Sequence, residues 1–162
     1  MVIEFDELSD ESRLWIYQID RDVNESEEQE LLNDVKVFLK DWTAHGSKLA
    51  ASAKIIQHRI LIIAADESYS SASGCSIDSQ VAFLRELQLK MDIDLFSRNT
   101  IFYRDEDEFK TMELNEFKHQ IAMGKLSDET LFYNTTIHKK EQLKDSFIIP
   151  VKESWLMRMI GV

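Results

Sequence analysis

Six consecutive apolar residues, Ile60 to Ala65 (ILIIAA), constrain this chain more than any other feature. The run is far too short to span a bilayer, which takes about 20 residues as a helix. It is β-branched and nearly uninterrupted, so it reads as a central strand covered on both faces rather than a half-exposed one. Ser52 to Ile56 precedes it across Gln57-His58, and the two segments read as a hairpin.

The neighbouring segments supply what such a strand needs. Leu14 to Ile19 is a second buried strand. Asn24 with Glu27 forms a capping box, and Leu31, Leu32, Val35, Phe38, Leu39 and Trp42 then recur at helical spacing. A second helix is expected from about Ile77, with Ile77, Val81, Leu84, Leu87 and Met91 on one stripe, and Thr100 to Tyr103 is a further strand. The order strand, helix, strand, strand, helix, strand is that of a ferredoxin-like (split βαβ) α+β core. Beyond it, Phe109–Leu114, a helix capped by Asn115, Thr130–Ile137 and a short helix near Lys139–Lys144 give a C-terminal β-α-β-α extension. The expected organisation is one domain over 1–162, with the ferredoxin-like core at 1–105 and the extension at 106–162 packed on it.

Composition narrows the function classes. A formal net charge of -11 disfavours nucleic acid and anionic membranes as partners, because both repel it. Cys75 is the single cysteine, so an internal disulfide and multi-thiolate zinc sites are excluded. The opening MVIEFDELSDES lacks the basic and apolar regions of a secretory signal. A soluble cytoplasmic protein is therefore expected, with its oligomeric state open.

One loop is chemically unusual. After the central strand come Asp66, Ser68, Ser70, Ser73, Gly74, Cys75, Ser76 and Asp78, leading into the second helix. Unpaired N–H groups at a helix start, among small residues, suit a phosphate or carboxylate. In the split βαβ topology this loop shares the sheet edge with the Thr43–Ala51 loop, which places Trp42 and His45 on the same surface. Cys75 as nucleophile, His45 as base and Asp66 or Asp78 as orienting acid can be drawn as a catalytic set. The same residues also read as a capped helix start on a solvated loop, with Cys75 a small packing residue. A metal site from His45, Asp66, Asp78 and Asp105 has no spacing signature, so no metal is assigned, and any cofactor stays unknown. Two functions follow: binding of a small anionic or polar ligand at residues 66–78 with Trp42 and His45, or a non-enzymatic protein–protein interaction or regulatory module using a sheet edge or the Trp155 turn. Whether any reaction is catalysed is left open.

The strings RLWIYQ (13–18), WTAHG (42–46), DESYSSASGCSID (66–78) and KESW (152–155) together resemble a family of small uncharacterised bacterial proteins often labelled "ABC transporter ATPase". The resemblance spans almost the whole chain and implies a shared fold and loop. It does not carry ATPase chemistry: the phosphate-wrapping Gly-x-x-x-x-Gly-Lys-Ser/Thr loop is missing, and His45-Gly46-Ser47-Lys48 has the order wrong.

Overall fold

The computed structural model describes residues 1–160 and is a mixed α+β chain with antiparallel sheets. It divides into two compact units, Met1–Ser97 with His138–Glu141, and Arg98–Ile137 with the chain from Gln142 onward. The break thus comes after Ser97 rather than at 105. A short stretch of the expected extension belongs to the first unit because its backbone is tied there: Leu14 N–H donates to His138 O (2.8 Å) and Lys140 N–H to Ser12 O (2.9 Å).

In the first unit, β1 (Arg13–Gln18) leads to α1 (Glu25–Asp41), the small strands β2 (Thr43–Ala44) and β3 (Ser47–Lys48), the hairpin β4 (Ala50–Ile56) and β5 (Ile60–Asp66), and α2 (Gly74–Met91). The apolar run is the middle strand of an antiparallel sheet ordered β1-β5-β4, and Ile60 to Ala65 are all buried. Leu61, Ile63 and Ala65 alternate onto the face that meets Leu31, Val35 and Leu39 of α1 and Leu84 and Leu87 of α2 in one core. Asn24 and Glu27 form the expected capping box.

Helix α2 departs from expectation at its start. It begins at Gly74, capped by Ser73, and its buried stripe opens with Ser76 and Gln80 instead of Ile77 and Val81. Ser76 Oγ donates to Thr43 O (2.7 Å) and Gln80 Nε2 to Tyr17 Oη (2.6 Å), while Gln80 Oε1 is buried without a hydrogen-bond partner among the described residues. A polar group buried with a hydrogen bond costs little, so hydrophobic periodicity misses such positions.

The ferredoxin-like sheet is not formed. Strand β6 (Thr100–Asp105), expected beside β1, pairs instead with β7 (Glu108–Glu113) and β8 (Leu131–Tyr133) in the second unit's sheet, ordered β7-β6-β8-β9, with β9 at Ile148–Pro150. The β6–β7 register runs from Thr100↔Glu113 to Asp105↔Glu108 across a two-residue turn. Such a hairpin closes a short loop at small entropic cost, and with β8 on its other edge β6 has no edge left for β1.

Helix α3 (Leu114–Ala122) follows β7, and the short helices α4 (Gln142–Asp145) and α5 (Leu156–Ile160) flank β9. The α3 cap is Glu113, not Asn115: its carboxylate accepts from the N–H groups of Asn115 and Glu116, a stronger acceptor than an amide oxygen. Pro150, the only proline, sits on the edge strand, where its missing N–H breaks no ladder. Trp155 packs edge-on to Phe132 (6.5 Å between centroids) beside a core of Ile101, Tyr103, Phe117 and Leu156. Among the described residues no helix is long and apolar enough to cross a membrane.

Candidate functional site

Helix α1 ends at Asp41, and Trp42 leaves it in extended geometry, donating its N–H to Leu39 O (3.3 Å). The chain then turns through His45 and Gly46, whose φ values of 50° and 79° are those of a tight two-residue hairpin. Glycine suits that conformation; His45 adopts it at a cost of roughly 1–2 kcal/mol. The turn holds the imidazole in solvent.

The loop after β5 is stitched onto this hairpin. Ser70 Oγ donates to Ala44 O (3.3 Å), and Ser76 Oγ to Thr43 O. Within the loop, Asp66 Oδ1 accepts from Ser68 N–H (2.9 Å) and Glu67 Oε1 from Ala72 N–H (2.8 Å). Ser73 and Ser76 exchange backbone and side-chain bonds in a full capping box, with their hydroxyls 2.8 Å apart. These serines are therefore chiefly architectural: their hydroxyls hold the helix start and dock it on β2.

Trp42 fastens the other side. It is buried, and its indole Nε1–H donates to Ser76 O (2.8 Å), which also accepts from Ser79 Oγ (2.8 Å). Trp15 meets it edge-on at 5.5 Å, Phe38 lies tilted at 6.0 Å, and Phe38 stacks on Phe83 at 4.5 Å. The end of α1 and the first turn of α2 are thus held together by aromatic contacts and two hydrogen bonds through one residue, Ser76.

Between them lies an open groove of about 580 Å³. Trp42, His45, Ser73, Cys75 and Ser76, all drawn from the sequence reading, line it. Val37, Phe38, Asp41, Thr43 and Ser79 line it too and were missed. For Phe38 and Thr43 a signal existed, since one is a helical turn before Trp42 and the other follows it directly. Asp66, Ser68, Ser70, Gly74 and Asp78 are not on the lining. The first three build the loop, and Asp78 is exposed on the second turn of α2.

Two chemical features face this region. Ser73 and its capping box occupy the third N–H of the helix, and Ile77 N–H already donates to Ser73 O (3.0 Å), so the N–H groups of Gly74 and Cys75 are the ones left unpaired. Their dipoles and the helix macrodipole favour negative charge. The Cys75 thiol is exposed, and it shares the groove with His45 without a hydrogen bond between them among the described residues. Neither Asp66, bonded to Ser68, nor Asp78 orients the imidazole. The drawn nucleophile–base–acid relay is not assembled. Among the described residues no three His, Cys, Asp or Glu side chains gather into a metal-holding cluster.

No family model, curated protein or solved structure matches the chain.

Proposed function

We propose that the first unit binds a small polar or anionic molecule in the groove between the end of α1 and the start of α2. The observation that carries this reading is the start of an 18-residue helix whose Cys75, with an unpaired N–H, lines a groove walled by aromatic side chains, the unpaired N–H of Gly74 preceding it off the lining. A ligand there would set its charged group against the helix start and its apolar part against Phe38 and Trp42. His45 and Cys75 are the reactive side chains within the groove, and binding requires neither. The family resemblance points the same way: its segments 42–46 and 66–78 supply both sides of the groove, and Trp15 of segment 13–18 packs against Trp42.

Thermal melting with inorganic phosphate, nucleotides, di- and tricarboxylates and amino acids tests this. A ligand that binds only the folded state at about 100 times its Kd adds about 2.7 kcal/mol of stability. Ser73→Asp keeps a good capping acceptor while adding negative charge to the groove, so it should retain the fold and lose the shift. Cys75→Ser should keep it. A shift that survives Ser73→Asp unchanged would remove the ligand from this groove. No shift with any of these compounds would favour the interaction-module reading, in which a sheet edge or the Trp155 turn meets a protein partner.

A further inference from the structure

A second groove, also about 580 Å³, lies on the solvent side of α1. Its floor is apolar: Val37, 63% exposed, with Met1 and Val2, the latter placed by a parallel bridge from Val2 to Ala51 on the edge of β4. Its rim is basic. Lys36 and Lys40 stand four residues apart on α1, about 6 Å along the axis, and Lys48 of β3 faces them. Lys48 is shared with Asp41 (3.1 Å), whereas Lys36 and Lys40 have no ion-pair partner among the described residues.

Three lysines around one apolar floor are out of keeping with a chain of net charge -11. The exposed face of an amphipathic helix usually mixes charge with polar residues, as α1 does earlier, where Asp34 and Glu30 pair with Lys90. At Val37 the face carries an uncovered aliphatic side chain next to unpaired cations. The screening length near physiological salt is about 8 Å, so a partner at this rim feels the lysines more strongly than the distant acids. Cations on two elements, two of them one helical turn apart, suit a segment that carries several carboxylates around an apolar side chain.

We infer that this face docks an acidic peptide segment, with an apolar side chain seated on Val37 and Val2 and carboxylates about one helical turn apart on Lys36 and Lys40. The complementarity is of charge and of hydrophobicity together; Val37 is shared with the lining of the first groove, whereas Val2, Lys36, Lys40 and Lys48 are not.

The probe is a fluorescein-labelled peptide of repeating Glu-Leu-Glu-Ala units, with a Gln-for-Glu counterpart, read by fluorescence anisotropy on the full chain. The acidic peptide should bind at least about tenfold tighter than the neutral one, and weaken as salt rises from about 0.05 M to about 0.3 M. Lys36→Gln with Lys40→Gln should weaken it about tenfold. Val37→Asn should weaken both peptides, and the control pair Lys118→Gln with Lys125→Gln should change nothing. All of these positions lie outside the buried core, so circular dichroism should show an unchanged fold. Equal affinity for the Lys36/Lys40 variant, or no binding by the wild type, overturns the proposal. So does tighter binding of decanoate in competition, which would make the occupant a small amphiphile. A wild-type dimer that the lysine substitutions dissociate in sedimentation would replace the peptide with a second copy of the chain, and would equally overturn it.

Discussion

At the residue scale, Ser76 and Gly74 make a useful contrast two positions apart. Ser76 is 3% exposed and serves four ends: its hydroxyl holds Thr43 O and closes the capping box, and its carbonyl takes the Trp42 indole and Ser79. Ser76→Ala removes the hydroxyl and its part-buried bond to Thr43 O, and should cost about 1 kcal/mol. Gly74, in contrast, has an ordinary φ and open space where a Cβ would go. Gly74→Ala should be neutral or stabilise by up to about 1 kcal/mol, through the unfolded chain. Urea denaturation of the two variants checks both signs. If Gly74→Ala is stable yet weakens a ligand found in the groove, the glycine serves close approach to the backbone, a role stability cannot reveal.

At the scale of elements, three hairpins turn on residue pairs with positive φ: His45-Gly46, Gln57-His58 and Glu106-Asp107. Only one of these six positions is glycine. The four-residue acid string 105–108 spans the third of these turns, with φ of 50° and 66° at Glu106 and Asp107. Neither residue suits that region as Asn-Gly does. Glu106→Asn with Asp107→Gly should therefore stabilise the β6–β7 hairpin by about 1 kcal/mol, seen as a higher urea midpoint at constant slope. The turn keeps Asp105 beside Lys110 (2.8 Å), a pair the substitutions leave alone.

Across the whole molecule, one carboxylate in each unit is held below its ordinary value by the donors around it. The Arg21 guanidinium bonded to Glu27, helped by Asn24 N–H, holds the Glu27 carboxyl below its ordinary value. Backbone N–H groups, Asn115 first, do the same for Glu113. A carboxyl depressed in the folded state stabilises above its unfolded value, about 4.3, and that stabilisation is lost as pH falls through the folded value. Self-repulsion works oppositely, since the excess negative charge vanishes as pH approaches the pI of about 4.8. Stability should therefore hold or rise slightly from pH 7 toward 5 and fall below 4. Glu27→Gln and Glu113→Gln should each flatten the acid limb of a Tm-against-pH curve. A limb unchanged in both variants would place the acid-sensitive groups elsewhere.

Local patterns were enough to determine much of this protein. The run at 60–65, the capping box at Asn24 and Glu27, the hairpin at Gln57-His58 and the apolar stripe of α1 depend on interactions a few residues apart, which the order of side chains encodes directly. Trp42 and His45 share a groove with Ser73, Cys75 and Ser76 of the 66–78 loop, within the β1-β5-β4 part of the expected sheet. Long-range choices were not legible in that way. Strand β6 has the composition to pair with β1 or with β7, and the pairing goes to the neighbour reached through a tight turn because closing that loop sacrifices least chain entropy. The serines of the unusual loop have the chemistry of donors to a ligand. Only the folded chain, by bringing the carbonyls of Thr43 and Ala44 within hydrogen-bond reach, commits the hydroxyls of Ser70 and Ser76 to the architecture and leaves two backbone N–H groups open instead.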